Sequence, residues 1–347
     1  MDFLLRQNGR AAMDFMVALV QATRPLAARW SAELAAAGLD DETLPSDPDA
    51  ADAKVSEALA RSDAFATAAL VGDFASVEHG RAAVAAFAES ADLLAPALAD
   101  LEARGPARLT ANPELVPPAY WDGVWFHRTT GGWNGHPEMG FIHGELIHRH
   151  YVARTFPGDI FAQRARVLAM LPRADYRDIL EMGTSSGHYT IALQRTFPDA
   201  RITGVELSLP MLKQALRVAN ANGWAWDLRQ AAAEDTGLPD AGFDLVTSYI
   251  LLHEMPAPAL EAVWREAFRL LRPGGQVLMA DVTPYRVLGP LGAWRADWMA
   301  RRGGEPWWRQ SATFDQAAAA RAAGFEQVTE GGPDGAPYPW VTIGTRP

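Results

Sequence analysis

Cysteine is absent from all 347 residues of this chain. Disulfide bonds, zinc–thiolate centres and cysteine nucleophiles are therefore excluded. Positive charge is also scarce, because 31 Lys and Arg residues stand against 42 Asp and Glu residues and the net charge is −11. Binding to phosphate backbones needs a basic face, so the composition argues against DNA or RNA as a partner.

Long apolar runs are missing from the sequence as well. No run approaches the length of a membrane span, and the first apolar stretch is interrupted by arginine and polar residues. The composition, 49% hydrophobic and 21% charged, is typical of a globular protein with one large or two ordinary domains. We therefore expect a cytoplasmic protein with no membrane partner.

The most informative stretch is RDILEMGTSSGHYT, residues 177–190. Its apolar pair Ile179 and Leu180 predicts a short buried strand, and helical spacing follows a turn of small residues. Such a turn suits a nucleotide-type ligand, because glycine permits close approach and the helix N-terminus offers unpaired N–H groups. The candidate ligand-binding positions here are Glu181, Gly183, Ser185 and Gly187.

A second predicted strand ends in Glu206, which lies 25 residues after Glu181. A carboxylate at this distance accepts hydrogen bonds from both hydroxyls of a ribose bound at the first turn. Taken alone, Glu206 is equally explained as a solvated acid at the end of a strand. Together with the upstream turn, it predicts a nucleoside-binding site.

Four segments in order, ILEMGTSSG, GVELSLPML, AAAEDTGLPDAGFDLVTSYILLHEM and FRLLRPGGQVLMADV, resemble the successive motifs of class I S-adenosylmethionine-dependent methyltransferases. The resemblance covers residues 176–281 and implies an α/β fold, a Rossmann-like seven-stranded methyltransferase sheet, with S-adenosylmethionine as methyl donor. It also implies donor contacts at Leu207, Met211, Ala233, Glu234 and Ser248. The acid that the family often places against the adenine amino group is missing here, where the chain reads AAAE at residues 231–234.

Three regions are predicted along the chain. Residues 1–118 predict a helical N-terminal domain that serves as a cap or a dimerisation domain, with separate helices at 52–71 and 82–103 and a connector at 106–118. Residues 119–152 predict a substrate lid, and residues 153–347 predict the methyltransferase domain. Because the helical domain carries more apolar surface than a hairpin can bury, we expect a homodimer.

The predicted lid contains five of the eight histidines, at positions 127, 136, 143, 148 and 150, among many aromatic residues. A metal site, packing at a domain interface and an acceptor pocket are the three interpretations. The spacing of His143, His148 and His150 does not place two imidazoles on one helix face, so we predict no metal. An acceptor pocket needs apolar walls with a few oriented polar groups. Candidate substrate contacts are Trp125, Arg128, Trp133, Glu145, Tyr249 at a strand end, and Arg295 in a less regular aromatic and basic insertion at 281–306.

Methyl transfer from a sulfonium is an in-line displacement in which the enzyme mainly aligns the reactants and excludes water. A hydroxyl acceptor needs a general base, for which His127, His143 and His253 are candidates, whereas a thioether acceptor needs none. The overall pattern is also similar to bacterial enzymes that S-methylate 4-methylthio-2-hydroxybutyrate on the way to dimethylsulfoniopropionate, which implies that small-molecule substrate. O-methylation of a quinone, polyketide or other secondary metabolite stays open, as does a catalytically silent methyltransferase-fold partner protein.

Overall fold

A computed structural model describes residues 5–156 and 158–347. Residues 1–4 of the predicted N-terminal domain and residue 157 of the predicted methyltransferase domain lie outside the described residues. An eight-stranded sheet of order β1-β4-β3-β2-β5-β6-β8-β7 organises the chain. Its strands are β1 (Arg108–Thr110), β2 (Asp178–Met182), β3 (Arg201–Glu206), β4 (Asp227–Gln230), β5 (Phe243–Tyr249), β6 (Leu271–Asp281), β7 (Glu326–Gly331) and β8 (Trp340–Thr345).

The sheet is parallel from β1 to β6 and antiparallel where β8 pairs with β6 and β7. Ile179, Leu180 and Met182 on the central strand β2 are 0% exposed, as expected for a parallel strand covered on both faces. Chain order reverses between β2 and β5, which are neighbours in the sheet. Ligands of open α/β sheets bind outside the carboxyl ends of the strands at such a reversal.

The predicted α/β methyltransferase sheet is confirmed, and one strand, β1, is added to the expected seven. The additional strand, β1, lies inside the predicted connector at residues 106–118 and pairs in parallel with β4 at the sheet edge. It has only three residues, and Arg108 and Thr110 are exposed. So short and polar a strand carries no periodic apolar signal, because its pairing depends on β4.

Twelve helices of the described residues flank the sheet or pack above it. They are α1 (Gln7–Ala22), α2 (Arg24–Ala36), α3 (Pro48–Ala58), α4 (Asp63–Ala103), α5 (residues 139–155), α6 (Ile160–Leu168), α7 (His188–Thr196), α8 (Leu209–Asn222), α9 (Ala257–Leu270), α10 (Tyr285–Gly303), α11 (Trp308–Thr313) and α12 (Gln316–Ala323). Helix α5 is α-helical over Met139–Phe141 and Ala153–Thr155 and π-helical over Ile142–Val152. Short 3-10 turns lie at Phe126–Arg128, Gly132–Asn134, Leu252–Glu254 and Pro333–Gly335.

The N-terminal helices differ from the expected pair at 52–71 and 82–103. Helix α3 ends at Ala58, and α4 then runs unbroken for 41 residues, starting where the Ser62 hydroxyl accepts a hydrogen bond from Phe65 N–H. Helix α4 is long and apolar enough to cross a membrane, although the sequence scan found no such run. Core helices of globular proteins pass the same test. Helix α4 buries Ala83, Phe87 and Leu94 in a core shared with α1 and α5, and 33% of its most apolar window is buried.

The same core joins the N-terminal helices to the sheet, because Met13 of α1 and Met211 of α8 both belong to it. The guanidinium of Arg217 on α8 is buried and pairs with Glu102 of α4 and with Glu138. The N-terminal helices are therefore packed directly on α8. They form a wall above the sheet.

The expectation of an irregular insertion after Asp281 is wrong, because α10 occupies most of it. The helix bends at Gly289, whose φ is 73°, just before Pro290. Beyond the bend, Trp294 packs edge-on against Trp30 of α2 at 6.1 Å between ring centroids. Helix α10 is thus anchored on the N-terminal helices, a long-range contact that local sequence does not signal.

Candidate active site

A cavity of about 660 Å³ opens at the carboxyl ends of β2, β3 and β5. Its floor is the sheet edge, and residues of α4, α5, α6 and α10 form the walls. This volume is within the range of sites that enclose a small molecule. Most of the predicted site residues lie along it, from the glycine turn at one end to a group of histidines at the other.

The turn between β2 and α7 forms one end of the cavity. Gly183 adopts φ 75°, a conformation that costs a glycine little, and Ser185 adopts φ 49°. The Gly183 and Thr184 N–H groups both donate to the Val205 carbonyl, at 2.9 and 3.0 Å, which ties the turn to β3. A Cβ on Gly204 would lie 2.3 Å from Thr184 Oγ1, so glycine is required where the turn crosses β3.

Glu206, at the end of β3, faces this turn. Its Oε2 accepts a hydrogen bond from Ser185 N–H at 3.0 Å, and its Oε1 accepts one from Ser208 N–H at 2.9 Å. Burial raises the pKa of Glu206 to about 7, although these amide hydrogen bonds oppose the shift. Each carboxylate oxygen keeps a free lone pair, so Glu206 can still accept hydrogen bonds from a ribose.

Glu234 and Tyr120 form the adjacent wall. Tyr120 donates its hydroxyl hydrogen to Glu234 Oε1 at 2.6 Å, while the buried Oε2 has no hydrogen-bond partner. Such an orphaned acceptor suits the amino group of an adenine, the contact for which the sequence lacks its usual acid. Gln230, at the end of β4, donates to the Leu207 carbonyl and does not line the cavity.

Glu181 lies between the two ends, on β2. Its Oε2 accepts a 2.5 Å hydrogen bond from the Thr190 hydroxyl. Burial raises the pKa of Glu181 to about 8, against the effect of this bond. The carboxyl group is therefore placed to gain a cationic partner, since a positive charge would restore its ordinary ionisation.

His127 lies in the opposite end of the cavity, on a strained 3-10 turn with φ 53°. Its Nδ1 pairs with Glu305, and its Nε2 lies 3.5 Å from Glu254 Oε1. Burial disfavours the charged ring, but these two carboxylates outweigh it and raise the pKa of His127 to about 10. Trp133 completes the cluster, because its indole N–H donates to Glu254 Oε2 at 2.9 Å.

His253 follows β5 in the same chamber and is almost fully buried. Its Nδ1 contacts Asp281, and the indole ring of Trp308 packs edge-on against it at 5.3 Å between centroids. Burial again opposes the charge, but Asp281 outweighs it and raises the pKa of His253 to about 9. At neutral pH, therefore, both His127 and His253 are imidazolium ions.

His143 differs from these two histidines. It packs perpendicular to Trp133 at 4.6 Å between ring centroids, and burial, with the nearby charge of His127, lowers its pKa to about 3. His143 is neutral and a very weak base. Two other histidines of the predicted lid lie away from the cavity, since His136 accepts a hydrogen bond from Glu138 N–H and His150 pairs with Asp14.

The ligand atoms of His127, His253 and Glu254 lie within 4.8 Å of one another, a grouping that could hold a metal ion. Sequence spacing gave no sign of it, because the residues come from two distant segments. Ion pairing gives another account of the same cluster. The protonated rings of His127 and His253 pair with Glu254, Glu305 and Asp281, which sets two positive charges against three carboxylates.

Most of the predicted site residues line the cavity, and the others lie outside it. Three predicted catalytic histidines, two predicted substrate contacts and eight predicted cofactor contacts line the cavity: His127, His143 and His253; Trp133 and Tyr249; and Glu181, Gly183, Ser185, Glu206, Leu207, Met211, Ala233 and Glu234. Gly187 and Ser248 do not line it. Gly187, with φ 88°, begins helix α7, and the buried Ser248 hydroxyl contacts the Met279 sulfur at 3.0 Å.

Four predicted substrate contacts lie elsewhere for physical reasons. Trp125 is 55% exposed, and Arg128 does not itself line the cavity but donates to the Ser76 hydroxyl. Glu145 is buried between Gln214 and Arg149. Arg295 packs over the Trp30 ring and donates to Ser31. Apart from the exposed Trp125, these side chains are taken up by contacts with other segments, which local sequence cannot reveal.

Several cavity residues were missed by the sequence analysis. They include Ser76 and His79 of α4, Gln163 and Arg164 of α6, His188 and Tyr189 of α7, and Glu305, Trp308 and Tyr338. Their common feature is that each distant segment contributes only one or two of them. Only His188 had a usable signal, because it directly follows the predicted glycine turn.

Residues 179–275 match the family described as "Methyltransferase domain". Demethylmenaquinone methyltransferase of Thermus thermophilus is 31% identical over 130 residues, which cover 38% of this chain and 58% of that protein. 27-O-Demethylrifamycin SV methyltransferase of Amycolatopsis mediterranei is 31% identical over 147 residues, covering 40% of this chain and 52% of that protein. The chain thus spans about half the length of these curated relatives.

Among solved structures, the chain is similar to human N-acetylserotonin methyltransferase in complex with S-adenosylmethionine. The TM-score is 0.45 at 13% identity, covering 61% of this chain and 56% of that chain.

Proposed function

Since this chain carries a methyltransferase domain of the class I S-adenosylmethionine-dependent family, we propose that the whole protein methylates a small organic acceptor held in its cavity. One observation carries this proposal. A single cavity of about 660 Å³ joins Glu206, the predicted ribose-binding residue, to the histidine-lined chamber. A donor and a small acceptor can therefore meet in one water-poor space.

The residues at the donor end fit S-adenosylmethionine. Glu206 would accept hydrogen bonds from the ribose, and the orphaned Oε2 of Glu234 would accept one from the adenine amino group. The glycine turn leaves room for close backbone approach. When bound, the donor supplies a methyl group already activated on a sulfonium. The work of the chain is then to bind, orient and exclude water.

The finer proposal is S-methylation of a thioether acid, with 4-methylthio-2-hydroxybutyrate as the specific candidate. A thioether sulfur has no proton to lose, and the acceptor end offers no ready base near neutral pH. Its carboxylate partners raise the pKa of His127 to about 10 and that of His253 to about 9, while burial lowers the pKa of His143 to about 3. Aromatic walls at Trp133 and Trp308 suit an apolar sulfur and a sulfonium product.

Calorimetric titration tests the donor site first. S-adenosylmethionine and S-adenosylhomocysteine should bind the wild-type protein, and Glu206→Ala should abolish or strongly weaken both. Glu261→Ala, which changes an exposed acid on α9, is the matched control and should bind normally. Turnover is then measured with S-adenosylmethionine and 4-methylthio-2-hydroxybutyrate, with the sulfonium product identified by mass. Donor binding without this product would reject the thioether acid, and no donor binding would reject methyl transfer itself.

O-methylation is the second candidate, and one observation favours it. Asp281 holds His253 through Nδ1 and leaves Nε2 toward the cavity, the arrangement of a general base beside its orienting carboxylate. Relatives include proteins named for O-methylation, among them the rifamycin enzyme. A hydroxyl acceptor should give a kcat that rises with pH as His253 loses its proton, whereas a thioether should give a flat profile.

A further inference from the structure

Arg164 lies on helix α6 and lines the cavity beside the carboxyl ends of β2 and β5. The residue is only 5% exposed. Its guanidinium packs over the rings of Phe161 and Tyr249, with the central carbon 5.4 and 4.9 Å from their centroids. Its Nη1 donates to the Ile160 carbonyl at 2.5 Å. The charge is therefore fixed in place by packing.

This buried cation lacks the partner that buried cations usually have. Among the residues that the structure describes, no Asp or Glu oxygen lies within 4.0 Å of the Arg164 guanidinium. Its Nε–H is buried and has no hydrogen-bond acceptor. The charge of Arg164 acts on Glu181 at longer range, but the Glu181 carboxyl group is hydrogen-bonded to the Thr190 hydroxyl. Burying an unpaired guanidinium costs free energy, and a bound anion would offset that cost by pairing with the charge.

A second unpaired donor follows from the neighbouring histidines. Arg164 Nη2 lies 3.1 Å from His148 Nε2 and can only donate, so His148 Nε2 is the acceptor. Burial lowers the pKa of His148 and that of His188 well below the usual range, so both rings are neutral. His148 therefore carries its proton on Nδ1 and donates it to His188 Nδ1, 3.0 Å away. The His188 proton must then be on Nε2, which is buried without a partner.

We propose that Arg164 and His188 form a carboxylate-binding site in the sheet-side wall of the cavity, an inference that rests on the methyl-transfer function proposed above. The planar guanidinium offers N–H groups in the geometry that a carboxylate accepts, and the His188 Nε2–H adds a neutral donor. Two carboxylates could occupy it, that of the amino-acid part of the donor and that of an acidic acceptor. Either carboxylate would accept hydrogen bonds from the same unpaired N–H groups of Arg164 and His188.

The arginines in and beside the aromatic and basic segment of α10 are already occupied. Arg309 pairs with both Asp49 and Asp297, and Arg286 pairs with Glu330 at 2.7 Å. Arg295 packs on Trp30 and does not line the cavity. Among the described arginines, Arg164 alone lines the cavity, so the anion-binding potential of this chamber is concentrated there.

The test compares ligands with and without a carboxylate by calorimetry. S-adenosylhomocysteine carries the amino-acid carboxylate, and 5′-methylthioadenosine lacks it. With S-adenosylhomocysteine saturating, 4-methylthio-2-hydroxybutyrate is compared with its uncharged counterpart 4-methylthio-1,2-butanediol. The variants are Arg164→Gln and Arg164→Lys, with Arg166→Gln on the exposed side of the same helix as matched control. His188→Gln keeps the guanidinium but removes the second donor, and it is the variant to test if Arg164→Gln does not fold.

A donor carboxylate predicts that Arg164→Gln weakens S-adenosylhomocysteine by at least about 30-fold and leaves 5′-methylthioadenosine unchanged. An acceptor carboxylate predicts normal S-adenosylhomocysteine binding and loss of the preference for the acid over the diol. In either case Arg164→Lys should retain part of the affinity or selectivity that Arg164→Gln loses, because lysine keeps the positive charge but lacks the planar guanidinium with its paired N–H donors.

Two results would overturn the proposal. In one, neither carboxylate ligand distinguishes the variants from wild type. In the other, charged and uncharged ligands weaken equally, which indicates a purely structural arginine. If the wild-type protein binds neither nucleoside, the methyl-transfer function fails first and the carboxylate site fails with it.

Discussion

The Nδ1 atom of His253 lies 3.0 Å from Oδ1 of Asp281. The carboxylate is itself held in place, because its Oδ1 accepts the Val282 N–H at 2.7 Å and its Oδ2 accepts the Leu252 N–H at 2.6 Å. The ring can therefore turn very little, and its Nε2 stays toward the acceptor end. The position is right for a base, but the charge of Asp281 keeps the ring protonated.

We expect a flat pH profile of kcat with 4-methylthio-2-hydroxybutyrate between about pH 6.5 and 8.5. Burial opposes the charge of His253, but Asp281 outweighs burial and raises its pKa to about 9. A reaction that used this ring as a base would therefore speed up with pH across this range, whereas a thioether needs no base and gives no such rise. His253→Gln, which can still donate to Asp281, should lower kcat less than about 10-fold, below the loss typical of removing a general base. Steady-state kinetics at several pH values provide the measurement.

A drop of kcat by about 10²–10⁴-fold in His253→Gln would contradict this expectation and support a hydroxyl acceptor. His150→Gln is the matched control, since that ring pairs with Asp14 outside the cavity.

Donor affinity should depend on the ionisation of Glu206. Burial raises its pKa to about 7 in the empty protein, and only the ionised carboxylate accepts hydrogen bonds with both oxygens. Affinity for S-adenosylhomocysteine should therefore fall about 10-fold as pH drops from about 8 to 6, as linkage to one protonation requires. Calorimetry in buffers of different ionisation enthalpy would record the released proton. Glu206→Gln should bind weakly at both pH values, and an unchanged pH slope in that variant would exclude Glu206 as the cause.

Tyr120 should matter for donor binding through Glu234. Its hydroxyl occupies Oε1 at 2.6 Å and so leaves Oε2 free for the ligand. Tyr120→Phe frees the carboxylate to turn, and we expect about 5–10-fold weaker binding of S-adenosylhomocysteine, the size of one hydrogen bond. Tyr151→Phe, on the wall away from Glu234, should bind the donor normally. Equal loss in both variants would show a general effect of the aromatic walls.

Methyl transfer should survive removal of metals. His127 uses Nδ1 for Glu305 and Nε2 for Glu254, and His253 uses Nδ1 for Asp281, so a cation would have to displace these protons. Dialysis against EDTA should leave both kcat and S-adenosylhomocysteine affinity unchanged. Activity that is lost on dialysis and returns with zinc or manganese would instead assign the histidine–glutamate cluster to a metal.

Arg217 should contribute strongly to stability. Its guanidinium is 1% exposed and pairs with Glu102 and Glu138, which joins α8 to α4 and to the start of α5. Arg217→Ala should lower the free energy of unfolding by about 3–5 kcal/mol, because it removes one member of a buried ion-pair network. Denaturant titration measures this, with Arg265→Ala, an exposed arginine on α9, as control. A decrease in the free energy of unfolding below about 1 kcal/mol would mean that water hydrates the two glutamates in place of the guanidinium.

The donor end was largely predictable because its parts are close in sequence. Glu181, the glycine turn and Glu206 belong to one strand–helix–strand unit, and each element has its own periodic signal. The predicted domain boundaries at 118 and 152, the homodimer and the cytoplasmic location stay predictions.

The acceptor end could not be predicted because long-range contacts assemble it. Arg164 and Arg166 are two residues apart on α6 and look alike in the sequence, yet one is buried in the cavity wall and the other is exposed. Arg295 was chosen for its aromatic neighbours, which instead pack it against Trp30. Which face of a short helix meets the cavity depends on the neighbouring helices, and that information is absent locally.

The bend of α10 at Gly289 and the anchoring of Trp294 on Trp30 place the acceptor wall on a part of the chain separate from the strands that carry Glu206. Mutations can therefore alter the two ends of the cavity independently. Substitutions along α4, α5 and α10 would change which molecule is methylated, while the turn after β2 keeps the same donor. A chain built this way is free to acquire new acceptors over generations without rebuilding its chemistry.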